Sequence, residues 1–273
     1  MIRSRPNLIR LLLLTGLTAV TVFGSAHAAA PSIAIIIDDL GYRYDEGQRA
    51  VALPGDVTCA VIPNTPHGAD MAEAAHAAGK EIMLHLPMQP LDKQRPVGDE
   101  GIALETTRRG VTEALSSGML AVPHVVGVNN HMGSLITRHP GHMTWLMQDL
   151  LERNLFFIDS VTTRSSVALR MAREQGVTAT RRDLFLDFEE ATEAEIHSRL
   201  QELYAVAYRQ GHALGIGHPY PATMAVLERE LPRLAERGIR LVTVSQLIEQ
   251  KQKSAAKGAV SAAADYDSEL AVR

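Results

Sequence analysis

Six apolar runs in this chain stop on a carboxylate or an imidazole. "SIAIIID" ends on Asp38 with Asp39 beside it, while His85, His131, Asp159, Asp187 and His218 fall at or near the ends of "EIMLHLPM", "HVVGVNNH", "LFFIDS", "RDLFLDF" and "HALGIGHP". These side chains bind divalent cations and move protons near neutral pH. Two imidazoles and one carboxylate form a known zinc set that leaves a fourth position open, and Asp39, His85 and His131 could supply it. Spacing does not decide this, because the three are far apart and make no close pair of the H-E-x-x-H kind. Each histidine stays open between ligand and hydrogen-bonded structural residue. The Asp38–Asp39 pair has the competing use of capping a helix.

Residues so distant meet only if a fold gathers them. These runs, with "VTCAVIP" and "IRLVTV", read as strands, and between most of them lie segments of helical spacing at 71–78, 112–119, 143–152, 166–175, 193–210 and 224–237. Thr192 followed by Glu195, and Ser245 ahead of an apolar face, are plausible helix starts. Alternation of strand and helix calls for a mostly parallel sheet. About eight strands without a linker favour a single α/β barrel over a doubly wound open sheet. A barrel gathers the C-terminal ends of its strands on one face, so the polar strand ends would converge there. That would also explain why two adjacent carboxylates close a buried strand, since ionisation in a core is costly. The stretch Gln89–Thr107, rich in Pro, Gly and charge, is long for a connection and reads as a loop of that face.

The 273 residues are 46% hydrophobic and carry a formal charge of −4. With no basic block beyond the N-terminal arginines and no aromatic-basic interleaving, a nucleic-acid partner is excluded. Arg3, Arg5 and Arg10 precede the apolar run 11–23, and Ala26-His27-Ala28 offers a small-x-small cleavage pattern, so residues 1–28 read as a secretory signal peptide. The run is short for a bilayer span, which predicts a periplasmic or secreted protein with no stable membrane span after cleavage. Cys59, the only cysteine, leaves no internal disulfide and reads as a small buried hydrophobe. Residues 251–273 are poor in large apolar side chains and read as a disordered tail, leaving 31–250 as one folded domain without internal repeats.

Five ordered motifs, "IIIDDLG", "GKEIMLHLPMQP", "GVNNHMGS", "FFIDS" and "LGIGHPYP", together resemble the divergent polysaccharide deacetylase family over roughly residues 31–250. The resemblance implies a distorted (β/α) barrel of about seven to eight strands. It implies a divalent metal, zinc first, held by Asp39, His85 and His131. It makes Asp38 the general base, His218 the general acid and Asp159 the carboxylate that tunes His218. Substrate contacts are expected at Asn130, Tyr220 and Asp187, and at Met132 and Gly133, whose backbone N–H groups are candidates for the oxyanion. Two departures stand out: Gln89 replaces a second histidine of the usual motif, and Asn129 lies nearest the place of an arginine that orients the base. The implied activity is removal of N- or O-acetyl groups from an extracytoplasmic glycan, as a hydrolase of non-peptide amide bonds. The alternative is an inactive barrel that binds glycan or a cell-envelope protein partner. Arg181 and Arg182 beside Asp183 and Asp187 invite ion pairs.

Overall fold

The protein is described by a computed structural model over residues 30–98 and 100–256. The signal sequence expected at 1–28 lies outside the described residues, as does the tail beyond 256. Strand β1 (Ser32–Leu40) shows why its sequence is continuously apolar, since Ile33 to Ile37 are all fully buried. A parallel strand covered on both faces has no solvent side to decorate.

Around β1 the chain lays down α1 (Tyr44–Val51), β2 (Thr58–Val61), α2 (Gly68–Ala77), β3 (Glu81–Met88), α3 (Arg108–Ala121), β4 (Val125–Met132), α4 (Pro140–Glu152), β5 (Phe156–Asp159) and α5 (Ala168–Glu174). It continues through β6 (Ala179–Arg181), β7 (Leu184–Phe185), α6 (Glu193–Gln210), β8 (His212–Gly217), α7 (Pro221–Glu230) and β9 (Arg240–Leu241), then α8 over 244–256. All pairings are parallel, in the order β6-β5-β4-β3-β2-β1-β8-β7, with β9 added at the start of β1. The two ends of this ladder belong to one short stretch. Residues 179–181 pair with β5 and residues 184–185 with β8, so a single segment bridges the edges into the distorted barrel the sequence predicts.

The inward register positions the site. Ala34 and Ile36, Met83, Ile158, Leu214 and Ile216 pack into one cluster inside the barrel, with Val244, Leu247 and Ile248 of α8 in the same cluster. Two residues further along the same strands come Asp38, His85, Ser160 and His218. The period-two alternation of a strand thus carries apolar packing low in the barrel and polar groups at its mouth. The opposite faces of the strands, including Ile33, Ile35 and Ile37, pack against the helices in the larger core.

Differences from the sequence reading have local causes. Helix α1 lies outside the expected segments, because its eight residues are mostly polar and only Gly47, Ala50 and Val51 are buried. Strand β6 is likewise too short to announce itself. The helix expected over 224–237 ends at Glu230 and gives way to two short 3-10 turns, the first containing Pro232, which has no N–H to continue an α-helix. Helix α8 runs through 256, six residues into the stretch read as a disordered tail, and Lys251 there reaches Thr180 Oγ1 at 2.9 Å. Helix α6 matches its expected limits, and Thr192 and Glu195 form a reciprocal capping box. Cys59 is buried, and burial pushes its thiol up to about 12.

Candidate active site

Neighbouring residues of a strand point to opposite faces, so Asp38 and Asp39 could not share a site on a regular β1. The chain breaks the alternation between them. Ile37 pairs with Cys59 and Leu40 with Val61, three steps on β1 against two on β2, and Asp39 adopts a left-handed φ of 60°. This bulge re-aims Asp39 into the mouth beside Asp38. A second left-handed pair, Met132 (φ 55°) and Gly133 (φ 86°), turns the chain directly after His131.

Three donors converge there. Asp39 Oδ1 lies 3.1 Å from His85 Nε2 and 2.9 Å from His131 Nδ1, and one donor atom from each residue falls within 4.8 Å of the others. Although this oxygen is buried, no donor is aligned on it as a hydrogen bond. A buried, unpartnered oxygen facing two ring nitrogens is costly for a folded chain, and a divalent cation would relieve it. The donor set, one carboxylate and two imidazoles, fits such a cation. His85 is prepared on its far side as well, its Nδ1 lying 2.8 Å from Asn129 Oδ1, the kind of outer contact that orients a metal-binding imidazole. Burial resists charge throughout, but His131 and His85 outweigh it at Asp39 and hold that carboxyl well below the usual range. At His85 the carboxylates of Asp38 and Asp39 likewise overcome burial and push the imidazole up.

Asp38 is 2% exposed and burial raises its pKa, against the opposing charges of His85 and His218. Its Oδ1 accepts from Asn129 Nδ2 at 2.8 Å, and its Oδ2 lies 3.6 Å from His85 Nε2. On the other flank, His218 Nε2 stands 3.9 Å from Asp39 Oδ2, with its ring between those of Phe185 and Tyr220. Asp187 holds His218: Oδ1 is 2.7 Å from Nδ1, while Oδ2 accepts from the His218 backbone N–H at 2.7 Å and from Thr223 Oγ1 at 2.6 Å. Gly217 makes room for this, since a Cβ there would stand 3.2 Å from Asp187 Oδ2. Burial lowers the His218 pKa, but Asp187 outweighs it and the imidazole rises to about 9.

The structure corrects several expected roles. Asp159 does not hold His218; its oxygens take the N–H of Val161 at 2.8 Å and Ser166 Oγ at 2.7 Å, fixing the turn after β5. Asp187 is the carboxylate on His218, and with both oxygens committed it is no substrate contact. Asn130 is also committed, accepting from the Ser160 N–H at 2.9 Å and donating to the Met132 carbonyl at 2.8 Å. Arg182 ion-pairs with neither nearby aspartate but binds the carbonyls of Ser160 and Val161 and lies over the Phe185 ring. Gln89 serves the loop: its Oε1 accepts from the Leu104 N–H at 2.9 Å, and the loop folds back along β3 through a bridge between Met88 and Ile102. Thr223, Ser160 and the full role of Asn129 were missed; for Asn129 the signal was its inward register opposite His85.

A cleft of about 330 Å³ runs outward from Asp39 between Tyr42, Arg43 and Glu46 on one side and Glu189, Pro219 and Tyr220 on the other. Tyr42 is 61% exposed. Tyr220 lines this cleft.

A family model described as divergent polysaccharide deacetylase matches residues 35–248. The uncharacterized protein YibQ of Escherichia coli is 38% identical over 228 residues, spanning 84% of this chain and 70% of its own length. Among solved structures, an uncharacterized protein from Agrobacterium tumefaciens aligns with a TM-score of 0.77 at 25% identity, over 81% of this chain and 91% of that one. The peptidoglycan deacetylase PdaC from Bacillus subtilis aligns at 0.51 and 14% identity, over 84% and 95%, a likeness of fold alone.

Proposed function

Because the chain belongs to the divergent polysaccharide deacetylase family, we propose that it is a metal-dependent hydrolase that removes N- or O-acetyl groups from an extracytoplasmic glycan. One observation carries the reading. Three convergent donors are flanked by two proton-handling groups of opposite character, a buried carboxylate and an imidazole held protonated by its own aspartate. Asp39, His85 and His131 would hold the cation, with zinc the first candidate for this donor set. When bound, it supplies Lewis acidity, lowering the pKa of water and polarising the acetyl carbonyl.

The chain's own groups divide the proton work. Asp38 Oδ2 takes the proton of the attacking water, while Asn129 occupies Oδ1. Backbone N–H groups of the strained turn at Met132 and Gly133 would be the donors to the developing oxyanion. His218 Nε2–H then protonates the departing nitrogen or oxygen of the sugar as its bond to the acetyl carbon breaks, and acetate leaves. Asp187 keeps that proton in place near neutral pH. Tyr42 and Tyr220 offer apolar faces for sugar rings along the cleft. The N-terminal arginines and the apolar run behind them support a reaction outside the cytoplasm.

Acetate release from N-acetylglucosamine oligomers, peptidoglycan strands and acetylated xylan tests this, with cation content measured in parallel. The expected result is release by the wild type and its loss in Asp38→Asn with cation content unchanged. A loaded wild type that releases no acetate from any of these supports the second reading, a barrel that binds glycan or a cell-envelope protein without turnover. Gln89 favours that reading, since it replaces a metal-binding histidine and is spent on the loop.

A further inference from the structure

Asn129 sits inside the barrel mouth, fully buried, register partner of His85 on the neighbouring strand. Its Oδ1 is 2.8 Å from His85 Nδ1, and its Nδ2 faces two acceptors, Asp38 Oδ1 at 2.8 Å and Ser160 Oγ at 3.3 Å. These neighbours fix which way the amide points. Oδ1 only accepts, so His85 carries a hydrogen on Nδ1, which leaves Nε2, 3.1 Å from Asp39 Oδ1, as the nitrogen a cation would take. Reversing the amide would oblige Nδ1 to accept, move the ring hydrogen to Nε2 and turn it against the cluster. The same reversal would set two oxygens, Asn129 Oδ1 and Asp38 Oδ1, against each other. Only the observed orientation satisfies Asp38 and leaves Nε2 to a cation.

We propose that Asn129 is a positioning residue that couples the cation site to the base: a single amide keeps His85 Nε2 free to bind a cation and fixes Asp38 with only Oδ2 left to take a proton. The Asp38 half rests on the function proposed above; the His85 half does not. The coupling also accounts for the missing arginine. A guanidinium has five donors and no acceptor, so it could hold Asp38 but would oppose the N–H of His85 Nδ1. Only a side chain with a donor on one arm and an acceptor on the other serves a carboxylate and an imidazole together. Asn129 is then a different solution to orienting the base, not the loss of one.

Two substitutions separate the arms. Asn129→Asp keeps an acceptor toward His85 and removes the donor toward Asp38; Asn129→Leu removes both. Zinc affinity, read by competition with a chromophoric chelator, is expected to stay within about threefold of wild type in Asn129→Asp and to weaken about 10- to 100-fold in Asn129→Leu, the usual cost of losing an outer-shell partner. Acetate kcat is expected to fall in both. Nitrogen chemical shifts should show His85 Nδ1 protonated in wild type and Asn129→Asp, and only partly so in Asn129→Leu. Equal loss of zinc in the two variants, or wild-type zinc affinity in Asn129→Leu, would overturn the proposal. So would a wild-type His85 whose Nδ1 carries no hydrogen, a measurement that needs no variant to fold. If the wild type binds zinc but releases no acetate, the proposed activity and the Asp38 half fall together, while the zinc and nitrogen readouts still decide the His85 half.

Discussion

The two flanks of the barrel mouth are built on opposite plans. On the β1, β3 and β4 side the backbone is strained, with Asp39 and Met132 left-handed, and the side chains remain incomplete, because Asp39 Oδ1 has two ring nitrogens nearby and no aligned donor. On the β7 and β8 side the group is finished without outside help. Asp187 satisfies the His218 ring, its backbone N–H and the Thr223 hydroxyl together. One flank presents donors that a cation would join, and the other already holds its proton. Backbone strain persists only where the surroundings over-determine it, and it clusters at functional sites. The asymmetry predicts that the proposed metal binding and the proposed acid catalysis can be perturbed separately.

The largest expected effect tests the junction of the two plans. Asp38→Asn should lower the acetate-release kcat by about 10²- to 10⁴-fold, the range for loss of a general base, with cation stoichiometry unchanged. Coincident loss of the cation would mean that Asp38 belongs to the donor set. Next, His85→Ala and His131→Ala should each abolish stoichiometric zinc binding. The thermal stabilisation that zinc gives the wild type, about 2.7 kcal/mol at a hundredfold excess over Kd, should vanish with it. Stabilisation surviving both changes would dissolve the contrast between the flanks.

The third prediction concerns the finished flank. His218 is held at about 9, chiefly against burial and by Asp187. Its ion pair therefore contributes stability that is fully present below the unfolded value near 6.5 and is lost as pH rises through about 9. Activity that needs the protonated imidazole should fall over the same alkaline range. Asp187→Asn should move that alkaline limb down toward about 6.5 while zinc affinity is unchanged, as pH–rate profiles and chelator titrations would show. Asp159→Asn should leave the limb where it is. The smallest effect is expected from Thr223→Val, which removes one hydrogen bond to Asp187 at a cost of about 1 kcal/mol by denaturant unfolding and does not touch the donor cluster.

The sequence made the strand ends legible because a strand buried on both faces has no reason to stop on Asp38, His85, His131 or His218 unless those groups meet elsewhere. It also gave α6 its limits, since Thr192 and Glu195 cap one end and Gly211, left-handed at φ 80°, closes the other. It could not choose between Asp159 and Asp187 as the partner of His218, for both are aspartates at strand ends. The choice follows from register: β7 pairs with β8, Phe185 opposite Ile216, which carries Asp187 to His218, whereas β5 lies at the far end of the ladder. Nor could it show that Asp39 joins Asp38, because that depends on a bulge in the pairing of β1 with β2.

What this chain determined by itself was which residue types end its strands, and with them a parallel barrel with chemistry at one rim, because burial and alternation act on each segment locally. What only the tertiary structure decided was who faces whom at that rim: Asn129 between His85 and Asp38, Asp187 under His218, Gln89 and Asn130 spent on loops. Those pairings are set by the register between strands distant in sequence, and register is a property of the closed sheet and of no single segment.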